Sequence, residues 1–290
     1  MFCDFTTGMA AIDGQSVPIE SVFQCTRSTV GRLADGTHFA PDTLRRSSRG
    51  LLIEEARENY FLNSFAPATQ SIALAAGTYT ASVGTGGSVA ISGDATLATA
   101  SSQSFTLAQA GTITVTISGA PQWVQVENGP FASSPIPTNG AASTRADDFV
   151  VPLDLGWFSP ENMTFSIEWE QRQSGAFAQN GVSNVVRWAG DAGYSRIRAG
   201  STSFAQIRNQ SGALGLNSGV GGATAVGIHT MTLTTSGETL QIAWSDSFNG
   251  TSGSATSTDG PAADHVTSLY LGSNATSEFL NGWIRKITVQ

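Results

Sequence analysis

Gly50-Leu51-Leu52-Ile53-Glu54-Glu55-Ala56-Arg57-Glu58-Asn59-Tyr60-Phe61-Leu62-Asn63-Ser64 is the stretch on which the fold reading turns. Three aliphatic residues run into alternating charge, a pattern that fits a strand with a turn or one short amphipathic helix. No helix of three turns or more is evident elsewhere, and short β patterns follow directly. The consistent reading therefore makes Leu51 to Glu54 a strand. Arg57 is then expected to pair locally with Glu54, Glu55 and Glu58.

Downstream, Ile72 and Leu74 alternate with small residues, Ala76-Gly77 turns the chain, and Tyr79, Ala81 and Val83 resume a period of two. That pattern predicts a hairpin. Further runs at 88–92, 104–107, 112–118 and 122–127 are separated by Gly-rich turns. In one of them Ile113, Val115 and Ile117 alternate with threonines, so one face is buried and the other presents hydroxyls. Strands this short and close predict a small antiparallel β-sandwich over residues 51–130. Residues 131–146, with Pro135 and Pro137 and then Asn139-Gly140, read as a Pro/Gly linker.

Residues 147–290 carry a second and larger β pattern. Phe165, Ile167 and Trp169 alternate with polar residues, Met231 and Leu233 answer Leu240, Ile242 and Trp244, and Trp283, Ile284, Ile287 and Val289 close the chain. Upstream of the opening stretch no period is sustained. Asp13-Gly14, Asp35-Gly36 and Ala40-Pro41-Asp42 mark turns between small apolar groups. Residues 1–50 are thus expected to be an irregular arm that orders by docking on something else. The chain is predicted to be all-β throughout.

Composition bounds the function. Charged residues make up 12% of the 290, about half the usual share, whereas apolar residues reach 40%, too many for disorder. The formal charge is −8, with one lysine, Lys286. Nucleic acid is therefore not an expected partner, since phosphate binding draws on clustered Lys and Arg. Of fourteen basic residues, six lie in the first 57 positions, so Arg27, Arg32, Arg45, Arg46 and Arg49 are the candidates for docking the arm on an acidic surface. No window resembles a leader or a membrane span, which predicts assembly in the cytoplasm without membrane insertion. Cys3 and Cys25 are too few for a disulfide framework and are expected to be free thiols.

Three phrases then become suggestive together: Arg27-Ser28 leading to the 50–59 stretch, Val124-Gln125-Val126-Glu127-Asn128-Gly129-Pro130-Phe131, and Ser134-Pro135-Ile136-Pro137-Thr138-Asn139-Gly140-Ala141 with Thr144-Arg145-Ala146. They resemble a module of virion surface proteins in tailed bacteriophages and related gene-transfer particles, where it occurs in head fibres, head spikes and tail fibres. The last 144 residues are similar to a laminin G or concanavalin A-type jelly roll, on the strands containing Phe165 to Trp169, Leu240 to Asp246 and Leu269 to Ser273 and on Phe279 to Ile287. The resemblance implies a homo-oligomeric, non-enzymatic protein on the virion surface. Its residues 1–50 would anchor to other virion proteins, and residues 51–130, carbohydrate-binding-like, with residues 147–290 would meet host surface polysaccharide. A structural tail or baseplate component and a polysaccharide depolymerase are the alternatives.

The chemistry-bearing constellations are few. Glu168 and Glu170 share one strand face about 7 Å apart, a glycosidase-like spacing without a third acid in register, so a solvated face is the expectation. His38, His229 and His265 have no nucleophile elbow beside them, and no catalytic residue is assigned. Gly215 to Gly227 lacks a Walker lysine. Asp246-Ser247-Phe248-Asn249-Gly250 and Asp259 offer oxygen ligands for calcium, but such turns also satisfy their own backbone, so no metal or cofactor is expected. Glycan binding needs aromatic faces beside amides and carboxylates, which selects Trp157, Trp188, Tyr194, Trp244 and Asp246.

Overall fold

The computed structural model describes residues 1–159, 162–172, 182–190, 193–200, 202–208, 214–221, 227–236, 239–246, 251–257, 266–273 and 278–290. Among them the regular structure is antiparallel strand, with one 3-10 turn at Ile19–Ser21. The chain is all-β. It divides into two compact units: Met1–Arg27, Asp42–Glu55 and Asp148–Gln290 form unit 1, and Ser28–Pro41 with Ala56–Asp147 form unit 2.

Unit 1 contains two large sheets. One runs from Thr251–Ser257 through Thr239–Asp246, Gly227–Ser236, Asn162–Gln171 and Gly282–Val289 to Phe2–Asp4, Met9–Ile12 and Gln15–Pro18. The other runs from Leu214–Gly221 through Thr202–Arg208, Gly193–Gly200, Val182–Gly190 and Val266–Leu271 to Phe149–Pro152 and Phe23–Thr26. Along Asn162–Gln171 the side chains alternate strictly, with Met163, Phe165, Ile167 and Trp169 inward and Thr164, Ser166 and Glu168 outward. Those inward residues join Val185, Val186, Trp188, Ile197, Leu269 and Leu271 of the opposite sheet in one core. Burying that much apolar surface is what holds such a sandwich together.

The first fifty residues are not an arm. Phe2–Asp4 pairs with Gly282–Val289, Cys3 opposite Ile287, and Phe23–Thr26 pairs with Phe149–Pro152, Cys25 opposite Val150. Cys3, Phe5, Ile19, Phe23 and Leu44 are buried in the unit 1 core. These strands are only three or four residues long, too short for a period of two to stand out, and their partners lie more than a hundred residues away. Gly50–Ile53 is a strand as expected, but it pairs with Gly282–Val289 and so belongs to unit 1. Gly50 is required there. Its φ is +125°, and a side chain would run into the carbonyl of Ile284.

Unit 2 is a second sandwich. Gln70–Leu74, Gly111–Gly119, Gly87–Gly93 and Leu97–Thr99 form one sheet, and Ser102–Leu107, Gly77–Val83, Val124–Asn128, Arg57–Asn59 and Ser143–Arg145 the other. Ile72, Val89, Ile113 and Val115 face Tyr79, Ala81, Val124 and Val126 across its core. The hairpin expected across Ala76-Gly77 does not form. Gln70–Leu74 pairs with Gly111–Gly119, whereas Gly77–Val83 pairs with Ser102–Leu107 and Val124–Asn128, so the chain changes sheet at that turn.

The expected linker is also corrected. Phe131, Ser133, Ser134, Ile136 and Thr138 are buried in unit 2. Asn59 Nδ2 donates to the Ile136 carbonyl at 2.9 Å, Ser64 N–H donates to Thr138 Oγ1 at 2.8 Å, and Ser133 donates to Glu127 through its N–H (2.7 Å) and hydroxyl (2.6 Å). Side chains thus answer the backbone groups that a buried irregular segment would otherwise leave unpaired.

Candidate functional site

A groove of about 560 Å³ opens on unit 1, lined by Asp13, Leu153, Asp154, Trp157, Ser159 and Asn162 among others. Its first wall is the Asp13-Gly14 turn that joins Met9–Ile12 to Gln15–Pro18. Both turn residues have positive φ, 49° and 78°, the two-residue hairpin geometry that Asp-Gly favours. Its second wall follows Phe149–Pro152. Leu153 N–H donates to the Val22 carbonyl at 2.8 Å, and Phe158 N–H to the Leu155 carbonyl at 2.9 Å. Asp154 Oδ1 accepts from Gly156 N–H at 3.1 Å.

This tight turn fixes Trp157. Its ring lies edge-on to Phe158, with centroids 5.7 Å apart, and 6.4 Å from Phe23. The indole is half-buried, and its N–H is sequestered without an acceptor in the protein. Leu153 beside it is 53% exposed. The groove thus joins an aromatic face, two carboxylates and an amide, groups of the kind that hold a sugar by its C–H face and its hydroxyls. Among the described residues no basic side chain lines it.

The structure separates the other sequence candidates. Trp188 is buried in the core, 5.4 Å from Phe158 between ring centroids, and offers no face to a ligand. Tyr194 lies on the outer face of the sheet that holds Gly193–Gly200, with the Arg187 and Arg196 guanidiniums 4.6 and 5.1 Å from its ring centre. For Trp244 and Asp246 the backbone is opposite Met231 and His229, and their side chains fall outside the described residues, as do residues 247–250 and Asp259. Among the described residues no three His, Cys, Asp or Glu side chains cluster as metal ligands.

The arginines proposed for particle docking divide likewise. Arg27 and Arg45 are buried at 1% exposure and bind Asp148, so neither can meet a partner. Arg46 pairs with Glu20 at 2.7 Å and Arg49 with Glu170, both at the surface of unit 1. Arg32, in unit 2, lies 4.1 Å over the Phe65 ring. The junction charges also go elsewhere than expected. Glu54 binds Arg45 at 2.9 Å and Arg172 at 2.6 Å, and the Arg57 guanidinium lies 4.4 Å over Phe131. Glu168 is bound by Arg285 at 2.7 Å, and Glu170 by Arg49. Both cysteines are free and buried.

Asp13, Asp154 and Asn162 were not singled out from sequence. Asp13-Gly14 was legible as a turn, but nothing local places it against residues 153–162. No protein-family model matches the chain, and no curated protein matches it.

Proposed function

We propose that this protein is a non-enzymatic glycan-binding protein of a virion surface, of the head fibre or spike type, that adheres to host polysaccharide through the unit 1 groove. The observation that carries the reading is the half-buried Trp157 ring in a groove beside Asp13, Asp154 and Asn162. The placement on a virion rests on the three sequence phrases alone. The residues of the second and third phrases have a structural role in unit 2, where Glu127, Ser133, Ile136 and Thr138 belong to one buried polar network. A groove of this size suits one or two sugar units, and such sites bind weakly one at a time. Display of a homo-oligomer raises the effective strength through multivalency.

Attachment to other virion proteins then uses a face of the folded units, because residues 1–50 are sandwich strands. Glu168 and Glu170 are each engaged in an ion pair, with Arg285 and Arg49, which supports reading them as a solvated strand face.

The test is a glycan array probed with the full chain, presented in several copies on a tetrameric carrier, in parallel with Trp157→Ala. Binding to neutral glycans that disappears in Trp157→Ala supports the reading. No neutral glycan bound by the multivalent protein overturns it and favours a purely structural virion component.

A further inference from the structure

The Asp13-Gly14 turn carries a chemistry of its own. A glycine that follows Asp or Asn leaves its own amide nitrogen uncrowded, so that nitrogen can approach the preceding side-chain carbonyl carbon and close a five-membered imide. Five such steps lie among the described residues: Asp13-Gly14, Asp35-Gly36, Asn128-Gly129, Asn139-Gly140 and Asn281-Gly282. Attack requires an uncommitted glycine N–H and a loose acid or amide, and this requirement separates the five.

In four of them one of these groups is held. Gly36 N–H donates to the Leu33 carbonyl at 3.0 Å, while Asp35 Oδ1 accepts from Thr37 N–H at 2.9 Å. Gly129 N–H donates to the Thr78 carbonyl at 2.8 Å, and Gly140 N–H to Asn63 Oδ1 at 2.8 Å. Asn281 is buried, and its Oδ1 accepts from Glu55 N–H at 3.0 Å. Asp13-Gly14 has neither restraint. The cross-strand pairing ends on Ile12 opposite Gln15. Among the described residues neither the Gly14 N–H nor the Asp13 carboxylate has a hydrogen-bond partner. Both residues are exposed, and no atom lies within 4 Å of where a Gly14 side chain would start.

We infer that Asp13-Gly14 is a self-modification site, at which Asp13 isomerises to isoaspartate with solvent water as the only other reactant and so remodels one wall of the groove. The Gly14 nitrogen loses its proton and bonds to the Asp13 carboxyl carbon, which in its protonated form gives up one oxygen as water. A second water molecule then opens the imide. Breaking the new C–N bond restores aspartate, whereas breaking the original one leaves the main chain running through the side chain. Isoaspartate adds one methylene to the main chain, so the two-residue turn between Met9–Ile12 and Gln15–Pro18 loses its fit. The carboxylate that lines the groove with Trp157 is displaced at the same time. The expected loss of glycan binding rests on reading the groove as the glycan site; the chemical step does not.

The experiment stores the full chain at neutral pH and body temperature, native and in urea, and follows isoaspartate by electron-transfer fragmentation of its tryptic peptides. In the native protein, isoaspartate at position 13 forms at least roughly tenfold faster than at position 35, where the attacking N–H must first give up a hydrogen bond of about that worth. In urea the two Asp-Gly steps convert at similar rates. Equal native rates, or slower conversion at position 13, overturn the inference. On the glycan array, the aged protein loses neutral-glycan binding in step with conversion, and repair with an isoaspartyl methyltransferase restores it. Full binding by converted protein overturns the remodelling of the groove wall. Failure of the groove as a glycan site is visible in fresh protein, and the rates at positions 13 and 35 still decide the modification.

Discussion

Arg45 and Asp148 meet as a bidentate ion pair with almost no exposure of either side chain, although 103 residues separate them in the chain. Asp148 also takes Arg27 Nη1 at 2.8 Å and the Glu54 N–H at 3.0 Å, and Asp42 Oδ1 accepts the Arg27 N–H at 2.8 Å. Arg27, Asp42, Glu54 and Asp148 each sit at or next to the ends of the three chain segments that make up unit 1. The network thus fastens those segment ends to one another inside unit 1. Its gain over a hydrophobic cluster is small, but loss of one member strands buried charge.

Asp148→Asn keeps the shape and one acceptor while removing the charge that two buried guanidiniums require. Stability should fall by about 3–5 kcal/mol in urea unfolding. Arg46→Ala, which breaks only the surface pair with Glu20, should cost no more than about 1 kcal/mol. Similar losses for the two variants would contradict the buried-network account.

A variant lacking residues 1–49 should fail to fold. It strips one pairing partner each from Gly282–Val289 and Phe149–Pro152 and removes Cys3, Phe5, Phe23 and Leu44 from the core. Insoluble or protease-sensitive material is expected. A soluble, cooperatively melting product would restore the reading of this segment as an arm.

Cys3 and Cys25 should be unreactive while the protein is folded. Burial pushes both thiols up to about 12, with the Asp148 carboxylate adding to the effect at Cys25. Thiolate is then scarce near neutral pH, and access is closed as well. A colorimetric thiol reagent should find no thiol at pH 8 in buffer and both in urea, so fast native labelling of either would show the short N-terminal strands to be displaced.

Unit 2 should lose stability as the pH rises above the usual glutamate range. Glu127 is fully buried, and that burial raises its pKa above the ordinary 4.5 despite hydrogen bonds from Ser133 and Gln125 and the nearby Arg57. The folded state therefore holds the proton more tightly than the unfolded chain. This contribution is complete below about pH 4.5 and disappears as the pH passes through the raised folded value. The urea midpoint of the unit 2 transition should fall over that window, and Glu127→Gln, which keeps the shape, should flatten the dependence. An unchanged slope in the variant would assign it to another group.

Local pattern made much of the chain legible. The alternation of Phe165, Ile167 and Trp169 with polar neighbours, and of Ile113, Val115 and Ile117 with threonines, specified strands because a half-buried strand imposes a period of two on its own residues. Trp157, a candidate by its place in a turn, is partly exposed beside the groove. Trp188 is identical in type but lies mid-strand and turns out to be core. Composition cannot tell those two apart, since a sandwich needs tryptophans inside as well as out.

What the sequence by itself determined is the all-β class, most strand positions and the turns, all of which are encoded within a few residues. Only the tertiary structure decided that residues 1–50 are strands of two units rather than an arm, that residues 131–146 are packed rather than linking, and that Asp13 stands across a groove from Trp157. Those outcomes depend on pairings such as Cys3 with Ile287 and on ion pairs such as Arg45 with Asp148. Their partners are recognised by shape and charge in space, and nothing in the residues next to them in the chain records the match.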